Sequence, residues 1–292
     1  MKTILRTGLL AIAITLALAV PANAGAYEDG IEAAERGDYA TALKLWRPLA
    51  EQGIGEVQYN LGIMYDNGWG VSEDDAEAAK WYRKAAEQGV AEAQFSLGDM
   101  CNNGQGVPQD FAEAAKWFRK AAEQGYAHAQ HNLGFMRAYG LGVPQDYAEA
   151  VEWYRKAAEQ GFADAQTNLG FMYHNGRGVP QDDAEAVKWF RKASEQGIAK
   201  AQHNLSFMYG NGLGVPRDFV LAHMWASLAA AQGHKSALKT RDNAAELMTP
   251  DQIAEAKRMA REWMEKHQQS STTFSKVPRP RPYRHSRQSP IS

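Results

Sequence analysis

The residues best suited to covalent chemistry are Ser236 and Lys239, a Ser-x-x-Lys pair of the kind in which an activated hydroxyl attacks an acyl carbon. The Ser-Asp-Asn and Lys-Thr-Gly segments that work with such a pair are absent from the chain, so a chance match on a helix is expected. His128 and His131 stand three apart and would share one helical face as half of a metal site, but no carboxylate or third histidine accompanies them locally. Cys101 is the single cysteine, which excludes an intramolecular disulfide and any multi-cysteine zinc or redox motif. It stands where other segments have Tyr65, Tyr173 and Tyr209, which favours a buried, inert thiol. Five Gly-x-Gly loops follow helical segments rather than strands, so they are turns rather than phosphate cradles. No catalytic residue, bound metal or cofactor is expected.

The elements that position these residues come from a repeat. Glycines at 53, 89, 125, 161, 197 and 233 close Gln-Gly endings at a fixed interval of 36 residues, and Gly-Val recurs at 70, 106, 142, 178 and 214 in step with them. Five units follow, 54–89, 90–125, 126–161, 162–197 and 198–233. In the second unit Ala93, Leu97, Met100 and Cys101 form an apolar stripe of helical period, and Asn103 to Pro108 break it. A second helix is expected from Asp110, with Glu113 reaching back in a capping box, through Trp117 and Phe118 to Gly125. No pair of helices buries Trp117, Phe118 and Leu97 by itself, so the units must stack into an all-α, right-handed superhelix of helix-turn-helix repeats. Glycines 62, 98, 134 and 170 inside the first helices imply a close helix contact that offsets their poor helix propensity.

The ends differ from the repeats. Lys2 and Arg6, the apolar run 8–20 and Ala22-Asn23-Ala24 make residues 1–24 a cleavable secretory leader, cut after Ala24; thirteen apolar residues fall short of the roughly 20 that span a bilayer. Residues 25–53 read as an N-terminal cap with a shortened first helix. Residues 234–267 read as a C-terminal helical cap whose last helix starts at Thr249-Pro250-Asp251-Gln252 and ends near His267. The segment 268–292, rich in Ser, Pro and Arg, reads as a disordered basic tail suited to weak contact with anionic envelope polymers. The formal charge of −2 hides this division: residues 25–267 carry 25 Lys+Arg against 34 Asp+Glu, which offers nothing to nucleic acid.

Units of the form Ala-Gln-x-x-Leu-Gly-x-Met-Tyr-x-x-Gly-x-Gly-Val-x-x-Asp, followed by Ala-x-x-Trp-Tyr/Phe-x-Lys-Ala-Ala-x-x-Gly, resemble the Sel1-like repeats, relatives of the tetratricopeptide repeats. The resemblance covers 54–233 and implies an all-helical scaffold or adaptor for partner proteins, in periplasmic or secreted bacterial proteins among others; a monomer is expected. It also implies that first helices line a concave surface. Positions on those helices that vary from unit to unit are candidates for recognition: Tyr59/Ile63, Phe95/Asp99, His131/Phe135, Thr167/Phe171 and His203/Phe207, each pair four apart on one face. The competing placement puts Phe135, Phe171 and Phe207 between units as core. Loop residues Trp69, Leu141 and Leu213 are further rim candidates. The reading is therefore an adaptor rather than an enzyme. The alternatives are a hydrolase acting on cell-wall or β-lactam substrates, since cysteine-rich members of the family are associated with β-lactams, and an envelope scaffold anchored by its tail.

Overall fold

The computed structural model describes residues 21–274, with side chains over 24–267; the first twenty residues of the expected leader, and the tail beyond Phe274, lie outside the described residues. Fourteen α-helices and no strands make up the described chain. They are α1 (Pro21–Glu35), α2 (Tyr39–Glu51), α3 (Gly55–Asn67), α4 (Asp75–Glu87), α5 (Ala91–Asn103), α6 (Phe111–Glu123) and α7 (Ala127–Tyr139), then α8 (Tyr147–Glu159), α9 (Ala163–Asn175), α10 (Asp183–Glu195), α11 (Ala199–Asn211), α12 (Phe219–Ala231), α13 (Lys235–Ala245) and α14 (Pro250–Phe274). Two compact units divide them inside α7: one holds 21–129 with loop residues 141–143, the other 130–140 with 144–274.

Each repeat starts and stops its helices with the same local devices. Asp74, Asp110, Asp146, Asp182 and Asp218 cap the second helices, each accepting a bond of 2.9–3.0 Å from the backbone amide three residues on. The expected capping box forms only by half. Glu77 and Glu185 turn to Lys80 and Lys188, and Glu113 and Glu149 accept from the indoles of Trp117 and Trp153, because the amides of the capping aspartates already donate to the Tyr65, Cys101, Arg137 and Tyr173 carbonyls at 2.8–3.0 Å. First helices end on a left-handed glycine, Gly104 in α5 with φ 71°. Gly106, two residues on, has its Cα against the Asp75 carbonyl of the preceding repeat, where no β-carbon fits.

Inside a pair, the aromatic ring of the second helix lies on the glycine of the first. A β-carbon added at Gly98 would sit 2.8 Å from the Phe118 ring, at Gly134 2.9 Å from Tyr154, and at Gly170 2.8 Å from Phe190. The expected close contact is thus a seat for a ring. In the fifth repeat the same two positions are Ser206 and Ala226, both buried, so the bulk is removed from the second helix when the first carries a side chain. Between pairs, a buried glutamine spans the joint. Gln58 donates to the Ala50 carbonyl in the last turn of α2 at 2.9 Å and accepts from Gln88 at 2.7 Å; Gln94 with Ala86 and Gln124, and Gln202 with Ser194 and Gln232, repeat this. Each of these carbonyls also accepts from the glycine amide of its turn, so the glutamine uses its second lone pair to tie the helix end to the next repeat. The second-helix tryptophans are buried, with the Lys84, Lys120, Lys156 and Lys192 ammonium groups 4.0–4.2 Å from their ring centroids.

The ends depart from the sequence-based expectation in two respects. Helix α1 is not shortened: it has 15 residues and starts at Pro21, so the expected cut after Ala24 falls within it. Helix α14 runs to Phe274, seven residues past His267, since no glycine or proline intervenes to stop it. Thr249 and Gln252 form the expected reciprocal cap. On α12 the lysine position becomes Leu228, and Trp225 meets Trp263 of α14 edge-on at 6.2 Å instead of an ammonium. His267 holds the far end, with Nε2 2.9 Å from the Glu195 carbonyl that ends α10.

Gly170→Ala is expected to cost about 1–3 kcal/mol by overpacking, and to become neutral or slightly stabilising in a Phe190→Ala background, where only the helix-propensity gain of about 1 kcal/mol remains; urea unfolding of the four proteins checks this. Trp153→Ala, deleting a buried indole, should cost about 3–5 kcal/mol in the same assay.

Candidate functional site

The five variable pairs divide by depth. Tyr59, Phe95 and Thr167 are buried at 9%, 6% and 2% exposure, and His131 and His203 are half-buried. These positions lie three residues before the ring seat, so their side chains cover the same ring or close the joint to the next repeat. Tyr59 lies 5.7 Å from the Tyr82 ring, Phe95 5.6 Å from Phe118 and 5.2 Å from Tyr126. His131 packs 5.8 Å from Tyr154 and 5.1 Å from Phe162, and its Nε2 pairs with the Asn168 carboxamide at 3.0 Å. Thr167 donates to the Ala163 carbonyl. His203 stacks on His234 at 4.5 Å. The sequence-based placement of Tyr59, Phe95 and Thr167 on an open face is corrected accordingly.

The second members point outward. Ile63 and Asp99 are half-buried, whereas Phe135, Phe171 and Phe207 are 40%, 37% and 43% exposed, so their placement as core is not what the structure shows. They stand at one repeat position on α7, α9 and α11, all within the second unit. Their surroundings are aromatic and cationic. Tyr139, 52% exposed and outside the sequence-derived set, lies 4.5 Å from Phe135; the Arg177 guanidinium lies 5.4 Å from the Phe171 ring; and His174, bonded to Asp183 at 2.6 Å, meets Phe207 edge-on. The Asn175 and Asn211 carboxamides donate to the Phe171 and Phe207 carbonyls at 2.8 Å, tightening the last turn beneath each ring.

The covalent candidates are dispersed. Ser236 and Lys239 are both exposed on α13. Cys101 is buried, and burial raises its thiol pKa, which keeps the unreactive form. His128 lies against the Tyr126 and Phe95 rings. Among the described residues, no cluster of three or more His, Cys, Asp or Glu side chains could hold a metal. Trp69 stacks on Tyr39 at 4.9 Å and Leu213 packs on the core near α12, so these loop residues anchor their loops rather than form a rim.

A stack of short helix pairs with an exposed aromatic row is the layout of a helical repeat scaffold. The chain belongs to the Sel1 repeat family, whose sequence profile matches residues 22–54, 55–90, 91–126, 127–162, 163–198 and 199–234; the segment expected as an N-terminal cap thus counts as a sixth repeat. A Sel1 repeat protein from Oxalobacter formigenes is 34% identical over 82% of this chain and 94% of its own, with a TM-score of 0.70. A protective antigen of uropathogenic Escherichia coli strains with the same repeat fold is 26% identical over 82% of this chain and 76% of its own, with a TM-score of 0.38. Cysteine-rich protein B of Helicobacter pylori is 28% identical over 44% of this chain and 92% of its own, with a TM-score of 0.36. Among curated proteins there is no significant match. Sel1 repeat proteins typically act as protein-interaction scaffolds, and the fold is typically non-enzymatic.

Burial and the neighbouring His234 lower the pKa of His203, and burial with Arg241 and Lys257 nearby lowers that of His223. Below the ordinary histidine value near 6.5 the unfolded chain therefore binds more protons than the folded one, so this contribution to stability is complete above that value and is lost as the pH falls toward the depressed folded values. Thermal melts between pH 7.5 and 5.5 should show a falling Tm whose slope is shallower in His203→Asn; equal slopes would mean that His203 is not held neutral.

Proposed function

We propose that this protein is a periplasmic or secreted adaptor that binds a partner protein or peptide through its first-helix face and has no catalytic role. One observation carries the reading: Phe135, Phe171 and Phe207 are exposed at the same position of three successive repeats, with Tyr139, also exposed, beside the first. Rings displayed at regular intervals on a rigid frame offer contact area at low entropic cost, which is what an interaction surface needs. The buried members of the variable pairs serve as support by fixing the rings behind them. Export rests on the leader-like residues 1–24.

A pull-down from envelope extract with the purified chain should capture a saturable partner that is lost in the Phe135→Ser, Phe171→Ser, Phe207→Ser variant at unchanged Tm. Undiminished capture by that variant would move the surface elsewhere. Mass spectrometry of the protein recovered from the periplasm should find Gly25 as its first residue; a cytoplasmic protein starting at Met1 would overturn the exported reading.

A further inference from the structure

One cleft in the second unit interrupts the monotony of the array. It is a shallow, open notch between the end of α7, the start of α8, α9 and the loop after α9, with about 20 Å³ of water-sized space, lined by Tyr139, Tyr147, Tyr154, Asn168, Phe171 and Arg177, with buried Ala138 and Met172 beneath. Two of its walls are departures from the repeat. Tyr139 stands where the other first helices end in Asn67, Asn103, Asn175 and Asn211. Arg177 stands where the other loops carry Trp69, Gln105, Leu141 and Leu213. These substitutions, 38 residues apart in sequence, converge on one site.

The guanidinium of Arg177 lies 5.6 Å from the Tyr147 ring and 5.4 Å from the Phe171 ring. The side chain is exposed beside these rings, and among the described residues no carboxylate pairs with it, so its N–H groups are left to donate. An arginine in this setting presents a planar fork that matches a carboxylate bidentately. Deeper in the cleft, the buried Tyr154 phenol is kept protonated by burial and bonds to Asn168, which in turn pairs with His131. The cleft thus combines a cationic fork at the rim, aromatic walls, and polar groups at the base.

We propose that this cleft is a recognition site for a partner peptide carrying an Asp or Glu side chain beside an aromatic residue, the carboxylate pairing with Arg177 and the ring lying over the exposed Tyr139 and Phe171 rings at its mouth. The proposal deepens the adaptor reading and rests on it for its setting. Since residues 25–267 carry more Asp+Glu than Lys+Arg, attraction comes from this one fork and not from a general positive field.

The test uses blocked peptides, acetyl-Gly-Glu-Phe-Glu-Gly-amide and its Gln and Lys counterparts, titrated into the full chain with NMR detection of the Arg177 Nε–H and the Asn168 carboxamide. The Glu peptide should give saturable shifts at both groups, with affinity about tenfold weaker for the Gln peptide, as for loss of a charge-assisted pair, and no binding of the Lys peptide. Arg177→Leu and Tyr139→Asn restore residues that other repeats carry at these positions, so both should melt like the parent yet lose the shifts at Asn168. Equal affinity for the Glu and Gln peptides, no saturable shift, or binding that survives Arg177→Leu would overturn the proposal. So would a lower Tm in Arg177→Leu with peptide binding intact, which would make the arginine a loop tether like Trp69. Capture of a partner that is insensitive to Arg177→Leu but lost in the triple phenylalanine variant would sink the cleft alone; peptide binding at Arg177 with no captured partner would sink the adaptor reading alone.

Discussion

A second helix can dock on its first helix only where the first has no β-carbon beneath the ring. Phe118 on Gly98, Tyr154 on Gly134 and Phe190 on Gly170 are the same contact repeated, and the remaining packing follows from it. Once the ring is seated, the residue three positions earlier must cover it, the buried tryptophan one position before the ring faces the other way with a lysine over it, and the first helix is rotated so that the residue after the glycine emerges into solvent. Phe135, Phe171 and Phe207 emerge from this side, whereas Ile63 and Asp99 at the same position stay half-buried, so the seat sets the direction and the later repeats supply the exposed rings.

Polar satisfaction is organised with the same economy. The glutamines at 58, 94, 166 and 202 are buried, yet each reaches a carbonyl at the end of the preceding second helix and is itself reached by the glutamine of the following turn. Each of these carbonyls also accepts from the glycine amide of its own turn, so the glutamine adds a second bond that ties one pair to the next. The consequence for the surface is freedom: with apolar and polar demands met on the inside, an outer position such as 135 or 177 can change without disturbing the stack.

Much of this was legible in the chain. The period of 36 residues, the aspartate caps and the close contact at the helix glycines rest on spacing or on rules that act within one turn, and the structure agrees with them. What was not legible depends on depth. Sequence variation between units marked Tyr59 and Phe95 as recognition candidates, but variation also arises where each joint is packed by a different pair of side chains, as His131 with Phe162 and His203 with His234 show. The role of the glutamines was hidden because a uniform polar residue looks like a solvated one until its carbonyl partner, eight residues earlier in sequence and one helix away, is seen. Tyr139 and Arg177 carried a signal, their mismatch with the other units, that was outweighed by the more regular pairs.

The exchange of Gly and ring for Ser206 and Ala226, together with Leu228 beneath the last helix, bears on how such an array changes length. A unit gained or lost in the interior presents the same glutamine bridge to both neighbours and leaves the termini intact. The fifth unit cannot be followed by another copy, because its outer side is already cut to receive α14 and carries no ammonium to face water. Lineages of this protein should therefore vary by internal duplication and deletion, with the last unit and its covering helix inherited together as one terminus.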